Sequence, residues 1–172
     1  MKYWLFKSEP DTYSVDDLAA AKNRTTAWEG VRNYQARNLL RDDVHEGDRG
    51  FFYHSSCDVP GIVGVVRIVR AGYADSSAND PQSAYFDPKA DPSSPRWFCV
   101  DVRLETKIEP LIALEELRSH ADPELRNMLV LKRGNRLSVM PVTRDEWTFI
   151  VSLRRDGSGE ARRHSGRAGK KS

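Results

Sequence analysis

Short apolar or alternating runs of side chains predict about six β-strands in this chain. The first run, at residues 3–6, is aromatic and apolar and begins almost at the amino terminus, which is typical of a buried strand. A short strand or turn is expected around Trp28 as well. The remaining runs fall at residues 50–54, 62–69, 97–105 and 136–142.

Cap residues predict short helices between and after these strands. Ser14, with Asp17 three residues later, has the pattern of a helix start before an apolar run. Asn33 is expected to cap a second helix that reaches about Val44 and turns Tyr34 inward. Further helices are predicted at residues 111–120, at 122–129 with Pro123 in the first helical position, and after the capping box of Thr143 and Glu146.

The order of these elements predicts an α+β fold. Strands do not alternate with crossover helices, as a doubly wound fold requires. A mixed, mostly antiparallel barrel or curved sheet flanked by short helices fits the pattern best. Trp4, Trp97 and Trp147 are expected in the core, because two lie in strands and the third follows a capping box.

Charge and composition divide the chain of 172 residues into one folded domain, residues 1–153, and a basic tail, residues 154–172. The tail holds seven Lys or Arg against two Asp or Glu, a net charge of +5, and lacks branched apolar or aromatic residues, so disorder is expected. The net charge of the whole chain is +2, so the domain without the tail carries about −3 and is mildly acidic. No run approaches the length of a membrane span, and Cys57 and Cys99 are expected as reduced thiols in a cytoplasmic protein.

Motifs for catalysis and cofactors are absent from the sequence. No Gly-rich phosphate loop, dinucleotide fingerprint or nucleophile elbow occurs, and the four histidines have no metal-ligand spacing. We therefore predict no metal, no cofactor and no catalytic residue. One enzymatic alternative stays open, in which Glu29, His54 and Lys7 converge in one cleft of a small hydrolase that acts on nucleotides.

Four segments together resemble the EVE domain family of the PUA-like superfamily, which is related to the YTH readers. They are residues 2–10 (KYWLFKSEP), 28–38 (WEGVRNYQARN), 85–89 (YFDPK) and 136–142 (RLSVMPV), and the resemblance extends over about residues 2–152. It implies a PUA-like open β-barrel that accepts a flipped-out modified base, a modified cytosine or adenine of DNA or RNA, without chemistry.

Trp28 is the first candidate for the wall of such a pocket. It lies in a turn rich in Gly and Asn, where its ring could stack on a base, or it could be a core tryptophan that closes the barrel end. The resemblance favours stacking, because the first cage residue of the YTH readers falls in this segment. Lys7, Ser8 and Glu9 end the first strand with polar groups that could read a base edge, and Gly30 completes this set.

A second group of candidates carries weaker signals. Tyr53 and Ser55 end a strand on one face while His54 lies on the other, so only Tyr53 and Ser55 can share a pocket unless a bulge intervenes. Asn33 either caps its helix or contacts a base. Basic residues near these motifs could follow phosphates or be ordinary surface charge: Arg32, Arg37, Lys132, Arg133 and Arg136.

The polar segment 74–95 reads as a long loop, and its Tyr85-Phe86 pair suggests a lid or an anchor that pins the loop. Together with the resemblance, these residues predict a non-catalytic reader of modified bases, a monomer whose partner is nucleic acid and not a membrane. The alternative to the reader, besides the hydrolase, is an RNA-binding protein without preference for modification.

Overall fold

The computed structural model describes residues 1–164, and the side chains of residues 1–155. Six strands form one sheet in which the order is β2-β5-β4-β3-β1-β6. The short strands β2 and β6 are its two edges, so the barrel stays open. The strands are β1 (Tyr3–Ser8), β2 (Thr25–Ala27), β3 (Arg49–His54), β4 (Gly61–Ala74), β5 (Phe98–Ala113) and β6 (Val139–Val142).

The pairing confirms the predicted mixed, mostly antiparallel sheet. Only β1 and β3 run parallel, with Leu5 opposite Phe51, and the other neighbouring strands are antiparallel. The strands β4 and β5 extend well beyond the predicted runs at 62–69 and 97–105. Their length allows the sheet to curve, so that β2 at one edge approaches the ends of β1 and β6 at the other.

Alternation along the strands divides the core into two clusters on opposite faces of the sheet. Phe6 and Phe52 belong to one cluster, whereas Leu5 and Phe51 belong to the other. The three tryptophans predicted for the core are buried: Trp4, Trp97 and Trp147.

Within residues 1–164, four α-helices flank the sheet, and the first, second and fourth begin at the predicted caps, whereas the third helix has no capping side chain. In the first, the Ser14 hydroxyl accepts from the Asp17 N–H, and the Asp17 carboxylate accepts from the Ser14 N–H. Thr143 and Glu146 form the same reciprocal pair before the last helix. The helices are α1 (Val15–Ala20), α2 (Tyr34–Asn38), α3 (Leu114–Ser119) and α4 (Arg144–His164).

Several predictions for the helices are wrong. The helix predicted from Asn33 to about Val44 forms over residues 34–43, but its second half, Leu39–Asp43, is a π-helix. Tyr34 is 54% exposed rather than turned inward, and its ring stacks on the Trp97 indole at 5.0 Å. Residues 111–113 continue β5, since Ile112 pairs with Ile62 of β4 and is buried.

No helix forms at residues 122–129. Successive turns occupy residues 121–127 instead, and they bury Leu125 and Met128.

The tail predicted from residue 154 does not begin there as a separate segment. Helix α4 continues to His164, and the Arg154 guanidinium donates to the Glu116 carboxylate at 2.7 Å and to the Leu111 carbonyl at 2.6 Å. These contacts fix the first tail residue to the domain. The part of the predicted tail at 165–172 lies outside the described residues.

Among the described residues, no helix is long and apolar enough to cross a bilayer. The same part of the chain contains no group of three or more His, Cys, Asp or Glu side chains that could hold a metal ion.

Candidate functional site

A cavity of about 460 Å³ lies where the barrel fails to close, between edge strand β2 and the ends of β1 and β6. We call it the seam cavity. Residues from both sides of the gap line it, namely residues 7–9, 12–13 and 26–31 with Tyr85 and Ser138. Its volume falls in the ordinary range for small-ligand sites in proteins.

Trp28 lines the seam cavity and also belongs to the core. Its side chain is only 8% exposed, and its ring makes edge-to-face contacts with Phe6 and Phe52, each at 5.3 Å between centroids. Trp28 thus has the core position that the sequence left open, whereas its stacking on a base stays a prediction. The indole forms the inner end of the cavity while it packs the interior, and it offers little free ring surface.

Lys7, Ser8 and Glu9, the candidates at the end of β1, line the cavity, and their contact with a base stays a prediction. The Lys7 N–H donates to the Ser138 carbonyl at 2.8 Å, which joins the two strands at this point. The Ser8 hydroxyl donates to the Tyr13 carbonyl at 2.6 Å, which holds the Tyr13 turn against the strand end. Burial lowers the pKa of the Lys7 ammonium, so part of the cavity wall is shielded from water.

Gly30 allows the loop after β4 to close the opposite wall. Its φ is +83°, and a Cβ at this position would lie 2.5 Å from the Tyr85 ring. Only glycine combines this backbone conformation with so close a contact. Tyr85 is thus a wall of the cavity, held in place by direct contact with the main chain.

The buried Asp75 carboxylate stabilises the wall that Gly30 and Tyr85 form. Asp75 accepts from the Gly30 N–H at 2.9 Å, from Arg32 Nη1 at 2.9 Å, and from the N–H and hydroxyl of Ser77. Burial raises the pKa of Asp75, but these donors outweigh it, and the pKa is lowered. Arg32 also donates to the Tyr85 carbonyl at 2.7 Å. Arg32 therefore connects the loop to the barrel, and it is not the free phosphate ligand that the sequence suggested.

Glu29 lies on the exposed rim of the cavity. Its pKa is raised by partial burial and by the charge of Asp75, with Arg32 acting in the opposite direction. Glu29 and Lys7 both line the cavity, whereas His54 does not. His54 Nε2 accepts from the Val15 N–H at 3.1 Å, so this ring supports the start of α1. The constellation required by the enzymatic alternative is not assembled.

Tyr53 and Ser55, the favoured pair of the second group, do not line the cavity either. Tyr53 belongs to the core cluster on the opposite face of the sheet, and the Ser55 N–H donates to the Ser8 carbonyl at 3.0 Å. The β3–β4 register shifts after Phe52, but this irregularity does not turn Tyr53 towards the seam. The Asn33 side chain accepts from the Ala36 N–H at 3.0 Å and is the cap of α2.

The other basic candidates differ in how much their side chains are engaged. Arg37 donates to the Arg96 carbonyl at 2.9 Å and lies over the Tyr34 ring, and Lys132 donates to the Arg126 carbonyl. Arg133 and Arg136 are exposed and have no ion-pair partner within the described part of the chain. Both are within five residues of Ser138, which lines the cavity.

Several cavity residues carried no signal of their own in the sequence, namely Thr12, Tyr13, Thr26, Ala27 and Val31. Ser138 belongs to the fourth segment of the resemblance, and only that membership could have indicated it. Tyr13 precedes a helix cap and resembles an ordinary turn residue.

The open six-stranded sheet, with a cavity in its unclosed seam, defines an α+β domain of the PUA-like class. The EVE domain family model matches residues 2–153, and the chain belongs to this family. It is 42% identical to chicken thymocyte nuclear protein 1 and 39% identical to the human protein, with 88% of this chain aligned to 68% and 73% of theirs.

Solved structures of similar proteins have the same fold. A Pseudomonas putida protein superposes with a TM-score of 0.83 at 47% identity and covers 88% of this chain and 99% of its own. Human thymocyte nuclear protein 1, solved in complex with DNA that contains 5-methylcytosine, superposes with a TM-score of 0.84 at 38% identity and covers 90% and 98%.

Proposed function

We propose that this chain binds nucleic acid and accepts one modified base, turned out of its strand, in the seam cavity without chemical change. The observation that carries the proposal is the cavity, which is of small-ligand size, has aromatic walls and opens between two sheet edges. The complex of the human relative with methylated DNA supports nucleic acid as the partner. A domain of the same fold and family with such a cavity suits the same class of ligand.

The aromatic walls provide the energy that base extrusion requires. Turning a base out of a strand costs a few kcal/mol, which stacking and edge contacts have to offset. Tyr13 and Tyr85 are half-buried and leave ring surface accessible, whereas Trp28 is almost fully packed. We assign stacking mainly to the two tyrosines, and each such contact contributes roughly 1–3 kcal/mol.

The polar and apolar groups of the cavity favour a modified cytosine or adenine. The carboxylates of Glu9 and Glu29 accept hydrogen bonds, and they suit the exocyclic amine that only these bases and guanine carry. Ala27 and Val31 add apolar surface for a methyl group. Burying one methyl contributes about 0.8 kcal/mol, so we expect roughly a fourfold preference for 5-methylcytosine over cytosine.

Contacts to phosphates are assigned to Arg133 and Arg136, whose guanidinium groups are exposed. Both are close in sequence to Ser138, which lines the cavity. A nucleic-acid strand that crosses the cavity would pass near them. Such contacts orient the nucleic acid but do not read its sequence.

Binding is the whole of the proposed activity. The cavity retains Lys7 and Glu29, but His54 is bonded to the main chain of α1. Incubation with nucleotides and modified oligonucleotides should give no product by chromatography. Turnover that is lost in a Glu29→Gln variant would refute this part of the proposal.

The decisive experiment is a titration by fluorescence anisotropy at one fixed salt concentration. Single- and double-stranded oligonucleotides with one 5-methylcytosine, one methylated adenine or no modification are compared. The variants Tyr13→Ala and Tyr85→Ala should each weaken binding by roughly 5- to 150-fold, which corresponds to the stacking energy of one ring. Tyr34→Ala removes an exposed tyrosine outside the cavity and serves as the matched control.

Equal affinity for all oligonucleotides, unchanged in both cavity variants, would refute the reader proposal. It would favour an RNA- or DNA-binding protein that acts through its basic surface alone. Trp28→Ala is a poor test, because truncating a packed tryptophan costs about 3–5 kcal/mol of stability and would obscure a binding effect.

A further inference from the structure

Strand β2 has a free edge that faces the seam. It is the outermost strand and pairs only with β5, so one row of its backbone N–H and C=O groups is left outside the sheet. The other strands that reach the cavity do so with their ends. The edge of β2 therefore offers unpaired main-chain groups of a strand to a ligand in the cavity.

The register shows which residue of β2 has its backbone groups on this edge. The Trp28 N–H donates to the Val100 carbonyl at 2.7 Å, so these residues form a hydrogen-bonded pair. Directly opposite residues of antiparallel strands alternate between bonded and non-bonded pairs. Ala27, opposite Asp101, is consequently a non-bonded residue, and its N–H and C=O point away from β5.

The shape of the cavity places it along this edge. Residues 26–31 all line it, without a gap. A cavity on one face of a strand would be lined by every second residue, because side chains alternate between faces. Thr26 and Ala27, adjacent residues of β2 with side chains on opposite faces, both line it, which indicates that the cavity flanks the edge of this strand; residues 28–31, which follow the strand, continue the lining.

The two outward groups of Ala27 are almost unused within residues 1–155. The only hydrogen bond to them is a long one, from the Thr26 hydroxyl to the Ala27 carbonyl at 3.5 Å. A donor and an acceptor therefore stand side by side at the wall of the seam cavity.

We propose that the N–H and C=O of Ala27 hydrogen-bond to the Watson–Crick edge of the base in the seam cavity. The inference rests on the proposed function. Each nucleobase carries a donor next to an acceptor on this edge. The base therefore pairs with the free edge of β2 through main-chain hydrogen bonds, as an additional strand would. The side chains of the cavity select which modification is accepted.

Hydrogen exchange of single amides tests this geometry directly. In the free protein, the Ala27 N–H should exchange quickly, whereas the Thr26 N–H, which faces β5, should be protected. On saturation with the oligonucleotide that binds best in the titration, exchange at Ala27 should slow at least tenfold and exchange at Thr26 should not change. An Ala27 amide that is already protected in the free protein would overturn the inference.

Two variants at one position separate main chain from side chain. Ala27→Pro removes the N–H, and an outward-facing position on an edge strand tolerates proline. Ala27→Gly keeps the N–H and removes only the Cβ. We expect at least a tenfold loss of affinity in Ala27→Pro and less than a threefold change in Ala27→Gly, with both variants checked by circular dichroism.

The outcomes distinguish this inference from the proposed function. Tight binding to a modified base without slower exchange at Ala27 overturns the inference and leaves the reader proposal intact. Equal losses in the proline and glycine variants also overturn it, because the side chain would then be responsible. No binding to any oligonucleotide overturns both. If Ala27→Pro does not fold, the exchange measurement on the unaltered protein still decides.

Discussion

Replacing Asp75 by Asn tests the support behind the Tyr85 wall. The carboxylate accepts four hydrogen bonds, two on Oδ2 from Gly30 and Arg32 and two on Oδ1 from Ser77. An amide has one acceptor oxygen, so in either orientation its NH₂ group faces at least one N–H donor. The least unfavourable orientation turns the NH₂ group to the Ser77 hydroxyl and still loses the bond from the Ser77 N–H.

The larger part of the effect is electrostatic. The Asp75 side chain is 1% exposed and the Arg32 side chain 23% exposed, so the substitution leaves a mostly buried guanidinium without its counter-charge. Breaking a buried ion pair by neutralising one partner costs about 3–5 kcal/mol. The partial exposure of Arg32 and its remaining bond to the Tyr85 carbonyl favour the lower end, about 3 kcal/mol. For a domain of this size that corresponds to a fall in Tm of about 6–12 °C.

The loss should depend on pH in a defined direction. Because the pKa of Asp75 is lowered in the folded state, its contribution is fully present above the unfolded value of about 3.9. It is lost as the pH falls through the lower folded value. The difference in stability between wild type and Asp75→Asn should therefore be constant near neutral pH and shrink in acid.

Urea unfolding followed by tryptophan fluorescence and circular dichroism measures both quantities. Asp80→Asn is the matched control, because Asp80 lies on the same loop, is exposed, and its carboxylate accepts only from the Gln82 N–H among the described residues. A loss below about 1 kcal/mol in Asp75→Asn, or one equal to that of Asp80→Asn, would refute the assignment of a buried ion pair. A difference that does not shrink in acid would show that the charge of Asp75 is not responsible.

Three further predictions concern the cavity and its surroundings. Gly30→Ala should destabilise the domain by at least about 1–2 kcal/mol in urea unfolding and weaken oligonucleotide binding, because a Cβ at φ +83° meets the Tyr85 ring; an unaffected affinity would contradict the role of that wall. Since burial lowers the pKa of His54 and its neutral Nε2 accepts from Val15, stability should be full above about pH 6.5 and fall as the pH drops below it. His54→Gln should lack this part of the pH dependence, and an identical profile would argue against it. Arg136→Gln should weaken binding to modified and unmodified strands alike and reduce the slope of log affinity against log salt by about 0.7–0.9, whereas an unchanged slope would remove Arg136 from the phosphate contacts.

Features that depend on neighbouring residues could be predicted from the chain alone. The caps of α1 and α4 were found because each involves groups three residues apart, Ser14 with Asp17 and Thr143 with Glu146. The burial of Trp147 followed from its position behind such a cap. The apolar runs also indicated six strands and the α+β class, since the period of a strand is a local property.

Predictions failed where distant segments decide the conformation. Tyr34 was expected to face inward by helical periodicity, but the Trp97 ring lies on the surface of α2 and holds it there. Residues 111–113 continue β5 because the neighbouring strand β4 is long enough to pair with them. Local propensity cannot anticipate a partner that lies about 50 residues away.

The candidate site divides in the same way. Lys7, Ser8, Glu9, Trp28 and Gly30 line the cavity, and the four-segment resemblance pointed to the chain segments that carry them. The local sequence of such a segment does not determine whether one of its side chains faces the cavity.

Only the fold settles those directions. Arg32 looks like a free surface cation in the sequence, yet Asp75, 43 residues away, binds it in the interior. The wall formed by Tyr85 and the free edge of Ala27 arise because the curved sheet brings β2 near the ends of β1 and β6 without closing. Short-range patterns along the chain indicate the segments that carry candidate site residues. Long-range pairing of the strands, through hydrogen bonds and buried apolar surface, determines which of those residues meet in one cavity.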